Sequence, residues 1–253
     1  MPRDRSPQDR KVLDAPSLDL KLSPQQELAC CLRLLATEGY NENFAGHITW
    51  QQPGAQAMWC NPAGLWWNEV SASDICLVDL NGEVLEGHWP ITEAIFIHTE
   101  LHRRRPDARV IVHGHPYYAT LLSAIPAAPV IGHQAGCVFD GEIGLVNEYD
   151  GAVNNLDAGQ HLADHVGADT GVILANHGAL VLGDYVPLAT FRAVSFERMC
   201  RMTVDLKQLG AEVQEILPQF RHHNYEWLKT KGASQYWAGA VRMLVKEQPE
   251  VLR

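Results

Sequence analysis

The sequence predicts one α/β domain built on a mixed or antiparallel sheet. Three observations carry the prediction. Short β-type runs crowd the first third of the chain, helical patterns then alternate with apolar strands, and there is neither a regular βαβ rhythm nor a Gly-x-Gly-x-x-Gly loop. With 253 residues, 46% of them hydrophobic and 20% charged, one large domain can bury its core.

Residues 1–22 mix charge, Pro and Ser without periodicity and read as a loosely held arm before a domain over 23–253. Ser23-Pro24-Gln25-Gln26 then looks like a helix start. Ser23 caps, Pro24 suits the first turn, and Gln26 stands three residues after the cap. Leu28, Leu32 and Leu35 follow at helical spacing until Gly39. Strands are expected at 46–50, 57–60 and 75–79, with Asn81-Gly82 turning the chain into 83–86. Thr92 to Arg104 reads as one helix stopped by Pro106, Val110 to His113 as a buried strand, and Pro116-Tyr117 as the next helix start. Gly171 to Ala175 is a central-strand pattern, and 179–182 continues extended. A long helix runs from about Pro187 to Leu209, and the tail holds another near Gln235 to Lys246.

Composition narrows the function. Twenty basic against thirty acidic residues give a net charge of −10, which gives no support for nucleic acid or a polybasic membrane contact. No apolar run approaches the roughly 20 residues of a spanning helix. Met1 to Arg10 is polar with no hydrophobic segment behind it, so a cytoplasmic protein is expected. The six cysteines lack Cys-x-x-Cys spacing and read as reduced thiols.

His113-Gly114-His115 is the most informative triplet. It ends the apolar strand Val110-Ile111-Val112, and extended chain sends residues i and i+2 to one face. His177, also just after an apolar strand and followed by Gly178, offers a third imidazole. If the two strands are neighbours, three nitrogens converge and leave a divalent ion open positions. Otherwise each histidine merely ends its strand. His98 and His102 also lie one helical turn apart, but without the Glu-x-x of a metalloprotease helix they read as packing residues.

Five stretches in order resemble the class II aldolase/adducin family: Ala45-Gly46-His47-Ile48-Thr49, Asn61-Pro62-Ala63-Gly64-Leu65, Arg105-Pro106-Asp107-Ala108, Val112-His113-Gly114-His115-Pro116 and Asn176-His177-Gly178. The resemblance covers a core over about 26–210 and leaves 211–253 as a helical tail. It implies a three-layer α/β/α domain with a central, largely antiparallel sheet. It also implies a divalent metal on His113, His115 and His177, with zinc ahead of manganese or iron. Family members are commonly homotetramers with sites at subunit interfaces.

The departures shape the expected chemistry. The phosphate-binding aldolases carry Gly-Asn-x-Ser where this chain has Gly46-His47-Ile48-Thr49, a Ser-Ser pair where it has Ile91-Thr92, and Thr-Pro-x-Gly where it has Asn61-Pro62-Ala63-Gly64. A phosphate dianion would lose hydrogen bonds worth about 1.5–3 kcal/mol each, so a sugar phosphate is not expected. The family's catalytic acid lies four residues before the helical histidine matching His98. Here that position is Ala94, and Glu93 is one residue, about 100° of helix, further back. A one-residue adjustment at the helix start would restore its aim; otherwise Glu93 simply favours a helix N-terminus.

His47 is matched to the loop of non-phosphate members, which include aromatic and heterocyclic carboxylate decarboxylases, and offers a substrate carboxylate an N–H or a charge. Packing against Trp50 is its alternative. Asn61, Gly64, His133 and Gln134 complete the expected substrate-binding set. Trp59, Trp66, Trp67 and Trp89 fit an aromatic-lined pocket or a subunit interface equally. The expected function is a metal-dependent carbon–carbon lyase, decarboxylase slightly ahead of aldolase, acting on a small non-phosphorylated hydroxy- or keto-carboxylate, aromatic ones included, through a metal-stabilised enolate. Glu93 would be its acid/base. The alternatives are an adducin-like scaffold, which lacks the metal triad, and an iron(II) oxygenase on the same three imidazoles.

Overall fold

Local signals at the start of the domain act as the sequence suggests. Ser23 Oγ accepts the backbone N–H of Gln26 while Gln26 Oε1 accepts that of Ser23, which fixes the start of α1 (Pro24–Thr37). Leu28, Leu32 and Leu35 on this helix are fully buried. The computed structural model describes residues 20–40, 42–148, 151–210 and 213–253, so the expected arm falls outside the described residues except for 20–22.

Four short strands follow: β1 (His47–Trp50), β2 (Ala57–Cys60), β3 (Cys76–Asp79) and β4 (Val84–Glu86). The Asn81-Gly82 turn closes the last pair, with Asp79 Oδ1 accepting the N–H groups of Asn81 and Glu83. Then come α2 (Phe96–Arg104), β5 (Val110–Gly114), α3 (Tyr117–Ala124), β6 (Ile143–Val146), α4 (Leu156–Val166), β7 (Gly171–Leu174), β8 (Gly178–Gly183) and α5 (Val186–Gln208). Two helices, α6 (Pro218–Trp227) and α7 (Ala233–Glu247), and a 3₁₀ turn (Pro249–Leu252) complete the described chain.

The eight strands form one sheet in the order β4-β3-β2-β1-β5-β8-β7-β6. Every pairing is antiparallel except β6 with β7, as a largely antiparallel sheet requires. Strand alternation divides β5 between two cores. Val110 and Val112 pack with α1, α5 and α7 on one face, whereas Ile111 packs with Ile97 and Leu101 of α2 and Leu162 and Val166 of α4 on the other. Helices therefore cover both faces. The period of two also fixes where β5 sends its histidine: His113 shares the face of Ile111, toward α2.

Two differences from the sequence pattern matter. The expected helix from Thr92 to Arg104 is broken: Glu93–Ile95 is a 3₁₀ turn, and Ala94 leaves helical geometry (φ −80°, ψ 21°) before α2 begins. The cause is the Thr92 hydroxyl, which accepts the Ala94 N–H and tightens the entry. The sequence pattern also leaves β6 and α4 unassigned. β6 has only four residues, one of them glycine, although Asn155 does cap α4 through the Ala158 N–H. All six cysteines are buried and unpaired. Among the described residues, no helix is long and apolar enough to cross a membrane.

Candidate metal centre

His113 ends β5 beside β1 on one side and β8 on the other, with His47 and Leu180 as its cross-strand partners. His115 lies two residues on. His177 sits in the turn from β7 to β8, where Asn176 adopts φ +55°. The three rings converge, with centroids 4.8 to 5.1 Å apart and one ligand nitrogen from each within 4.8 Å of the others. Glycine makes this approach possible. A Cβ on Gly178 would lie 2.6 Å from both the Gly114 carbonyl and His115 Cδ2, and one on Gly46 (φ +92°) would lie 2.9 Å from the His113 carbonyl.

Hydrogen bonds behind the rings decide which nitrogens face inward. The Ala179 carbonyl can only accept, so His113 Nδ1 carries the proton it donates across 3.0 Å. His115 Nδ1 lies 3.2 Å from Glu42 Oε2, within ion-pair range. The bond to Ala179 leaves the Nε2 lone pair of His113 to the cluster, and the contact with Glu42 holds the Nδ1 edge of His115 away from it, the kind of support that orients imidazole ligands. His115 Nε2 is buried and has no hydrogen-bond partner. Burial and neighbouring imidazoles hold His113 well below the usual histidine range and push His177 down to about 4. These rings are neutral, as metal ligands must be. The donor set, the orphaned nitrogen and the fixed tautomer of His113 fit a divalent ion.

The three histidines line a cleft of about 530 Å³ with Phe44, Gly46, His47, Asn61, Gly64, Ile91, Glu93, Ile97 and Val153 among its walls. Glu93, on the 3₁₀ turn before α2, is exposed and faces the same space. Asn61 is buried, and its Oδ1 accepts the Ile48 N–H at 2.7 Å, so it clamps β2 to β1. Gly64 turns with φ +87°.

His47 is the fourth imidazole of the cleft, its centroid 4.8 Å from that of His113. Behind it runs a buried polar chain. His47 Nδ1 lies 2.5 Å from His98 Nε2, His98 Nδ1 lies 2.7 Å from Thr49 Oγ1, and that hydroxyl lies 2.8 Å from His102 Nε2. Burial lowers all three histidines, and pushes His102 down to about 3. Neutral rings donate from one nitrogen and accept at the other, so the chain locks the tautomer and aim of His47. Trp50 plays no part in this bonding. His98 and His102 are thus buried supports on α2, outside the convergent triad.

Two sets of expected residues fall elsewhere. His133 and Gln134 do not line the cleft. Their segment runs along α5, where Val130 N–H donates to Thr203 Oγ1 and Ile131 accepts the Ile216 N–H, and Gln134 bonds Asn224 of α6. None of the four tryptophans lines it either. Trp67 is fully buried against Tyr40, Trp59 packs on the core, and Trp89 donates to Asp74. Sequence reasoning missed Glu42 and Thr49, whose partners are set only by tertiary contact.

The family model for the class II aldolase and adducin N-terminal domain matches residues 26–204. The chain belongs to the class II aldolase/adducin family. Decarboxylase NovR of Streptomyces niveus is 28% identical over 192 residues, 74% of this chain and 71% of that protein. A Streptomyces roseochromogenus protein, 4-hydroxy-3-prenylphenylpyruvate oxygenase/4-hydroxy-3-prenylbenzoate synthase, is 28% identical over 178 residues, 69% of this chain and 64% of its own. In fold, the chain matches L-fuculose 1-phosphate aldolase from Glaciozyma antarctica PI12 with a TM-score of 0.78. That match has 24% identity and covers 90% of this chain and 91% of the aldolase. Divalent-metal dependence is general among class II aldolases, and this member keeps a histidine triad able to serve it.

Proposed function

We propose that the chain is a divalent-metal-dependent carbon–carbon lyase acting on a small, non-phosphorylated hydroxy- or keto-carboxylate, by decarboxylation or aldol cleavage. The observation that carries the proposal is the convergence of three imidazoles, one held from behind by a backbone carbonyl and one standing beside Glu42, on a cleft that also holds a carboxylate. An ion held by His113, His115 and His177 would supply Lewis acidity to a substrate oxygen, with zinc preferred over manganese or iron. Glu93, at the cleft and open to solvent, carries a proton to or from the carbon released by bond cleavage. His47 orients the substrate carboxylate with its outward nitrogen, held in place by His98. Asn61 and Gly64 shape the wall without presenting the hydroxyls a phosphate would need. The apolar part of the wall is aliphatic apart from Phe44, so it favours no aromatic substrate by itself. A homotetramer in the cytoplasm is part of the same reading.

The test is metal-stripped protein assayed for carbon dioxide or aldehyde release from hydroxyaromatic, 2-hydroxy and 2-keto carboxylates. Activity should vanish on chelation and return with zinc or manganese. Turnover that persists with less than a stoichiometric trace of metal rejects the proposal. Glu93→Gln should lower kcat by about 10²–10⁴-fold with KM little changed. The oxygenase/synthase relative favours one alternative, iron(II)-dependent oxygenation at the same triad. Oxygen uptake with iron-loaded protein, absent with zinc, distinguishes it.

A further inference from the structure

A second group of metal-type donors lies outside the triad. His161 and His165 stand one turn apart on α4, with ring centroids 4.2 Å apart. Glu148, just beyond the end of β6, brings Oε2 to 3.4 Å from His161 Nε2. One donor atom from each of the three lies within 4.8 Å of the other two. We propose that Glu148, His161 and His165 form a second divalent-cation site, separate from the triad.

The arrangement has the features of a built ligand set. His165 Nδ1 donates to the His161 carbonyl at 2.8 Å, since a carbonyl can only accept. With Nδ1 engaged in this way, Nε2 is the ring nitrogen left to a ligand, the orientation from behind that His113 receives in the triad. The helix carrying both rings is held firmly. Asn155 caps it, and Gly159 lets it press so closely on α2 that a Cβ there would lie 2.6 Å from the Phe96 carbonyl. Two imidazoles and one carboxylate suit zinc, and leave at least one position for water or an anion. All three residues are exposed, so an ion enters without rearrangement.

The location gives the site a consequence. Glu148 and His161 line a cavity of about 290 Å³ that also contains Asp157, Val153 and His177. His177 and Val153 line the triad cleft as well. A cation at the second site therefore stands at one wall of a cavity that abuts a triad residue. Its open coordination position is one where a small carboxylate can bind.

The experiment is zinc titration of the full, untagged, metal-stripped chain by calorimetry and equilibrium dialysis. Two equivalents are expected, the second at least tenfold weaker because its ligands are exposed. His161→Ala and His165→Ala should each weaken the second step by tenfold or more and leave the first unchanged, and Glu148→Gln should weaken it less. Circular dichroism verifies folding of these surface variants. His113→Ala with His177→Ala separates this proposal from the triad reading: the first equivalent should go and the second remain. A single equivalent in the wild type that disappears with His113→Ala and His177→Ala overturns the proposal. So does a second equivalent indifferent to His161 and His165, which would mean adventitious binding at other surface histidines.

Discussion

Thr49 carries more of the site than its small side chain suggests. Its one hydroxyl is the link between His98 and His102, and all three side chains are buried. Removing it strands two imidazole nitrogens where water cannot replace the lost partner. Thr49→Val, nearly identical in shape, should destabilise the fold by about 1–3 kcal/mol, read from urea denaturation. It should also impair substrate capture more than metal binding, because His47 loses its fixed aim while the triad keeps its own supports. The triad was legible residue by residue. His-Gly-His at a strand end gives two rings on one face, and a second strand ending in His-Gly supplies the third. Glu42 was not legible, because nothing in an exposed glutamate 73 positions before His115 announces a partner.

At the scale of elements, helix entries tune what the strands deliver. The capping box of α1 comes from Ser23 and Gln26 together and the break before α2 from the Thr92 hydroxyl, yet only the first had a readable pattern. A Thr-Glu start reads as a plain helix, and the 3₁₀ entry that carries Glu93 at the cleft becomes clear only in three dimensions. The start of α3 has a less common support. The Glu197 carboxylate of α5 accepts the N–H groups of Tyr118 at 2.8 Å and Ala119 at 3.0 Å, and burial pushes its pKa up to about 7. Its folded pKa exceeds the ordinary 4.5, so the stability linked to its protonated form is complete below about 4.5 and is lost as pH rises through about 7. Glu197→Gln should flatten the decline in denaturation midpoint between pH 5 and pH 8. At the β7–β8 turn, Gly178→Ala should weaken metal binding by about tenfold or more in a chelator competition, because the new methyl collides with His115.

For the whole molecule, an ion held at positions 113, 115 and 177 would fasten β5 to the turn between β7 and β8. Zinc at about 100 times its dissociation constant should add about 2.7 kcal/mol and raise Tm by roughly 5–10 °C in differential scanning calorimetry. The layer arrangement was legible in outline because β1, β2, β3, β5, β7 and β8 announce themselves by apolar runs and turns. The parallel edge made by β6 was not, since four residues with a glycine carry too little pattern. The position of β5 has one last consequence. It lies between β1 and β8, so His113 sits where strands 60 or more residues apart in sequence meet. A nascent chain that ends before β7 would carry two of the three ligands, His113 and His115, and would lack the β8 strand that pairs with β5. Metal uptake should therefore accompany the final kinetic phase of refolding, and serve as a timer for the moment the long-range pairing is complete.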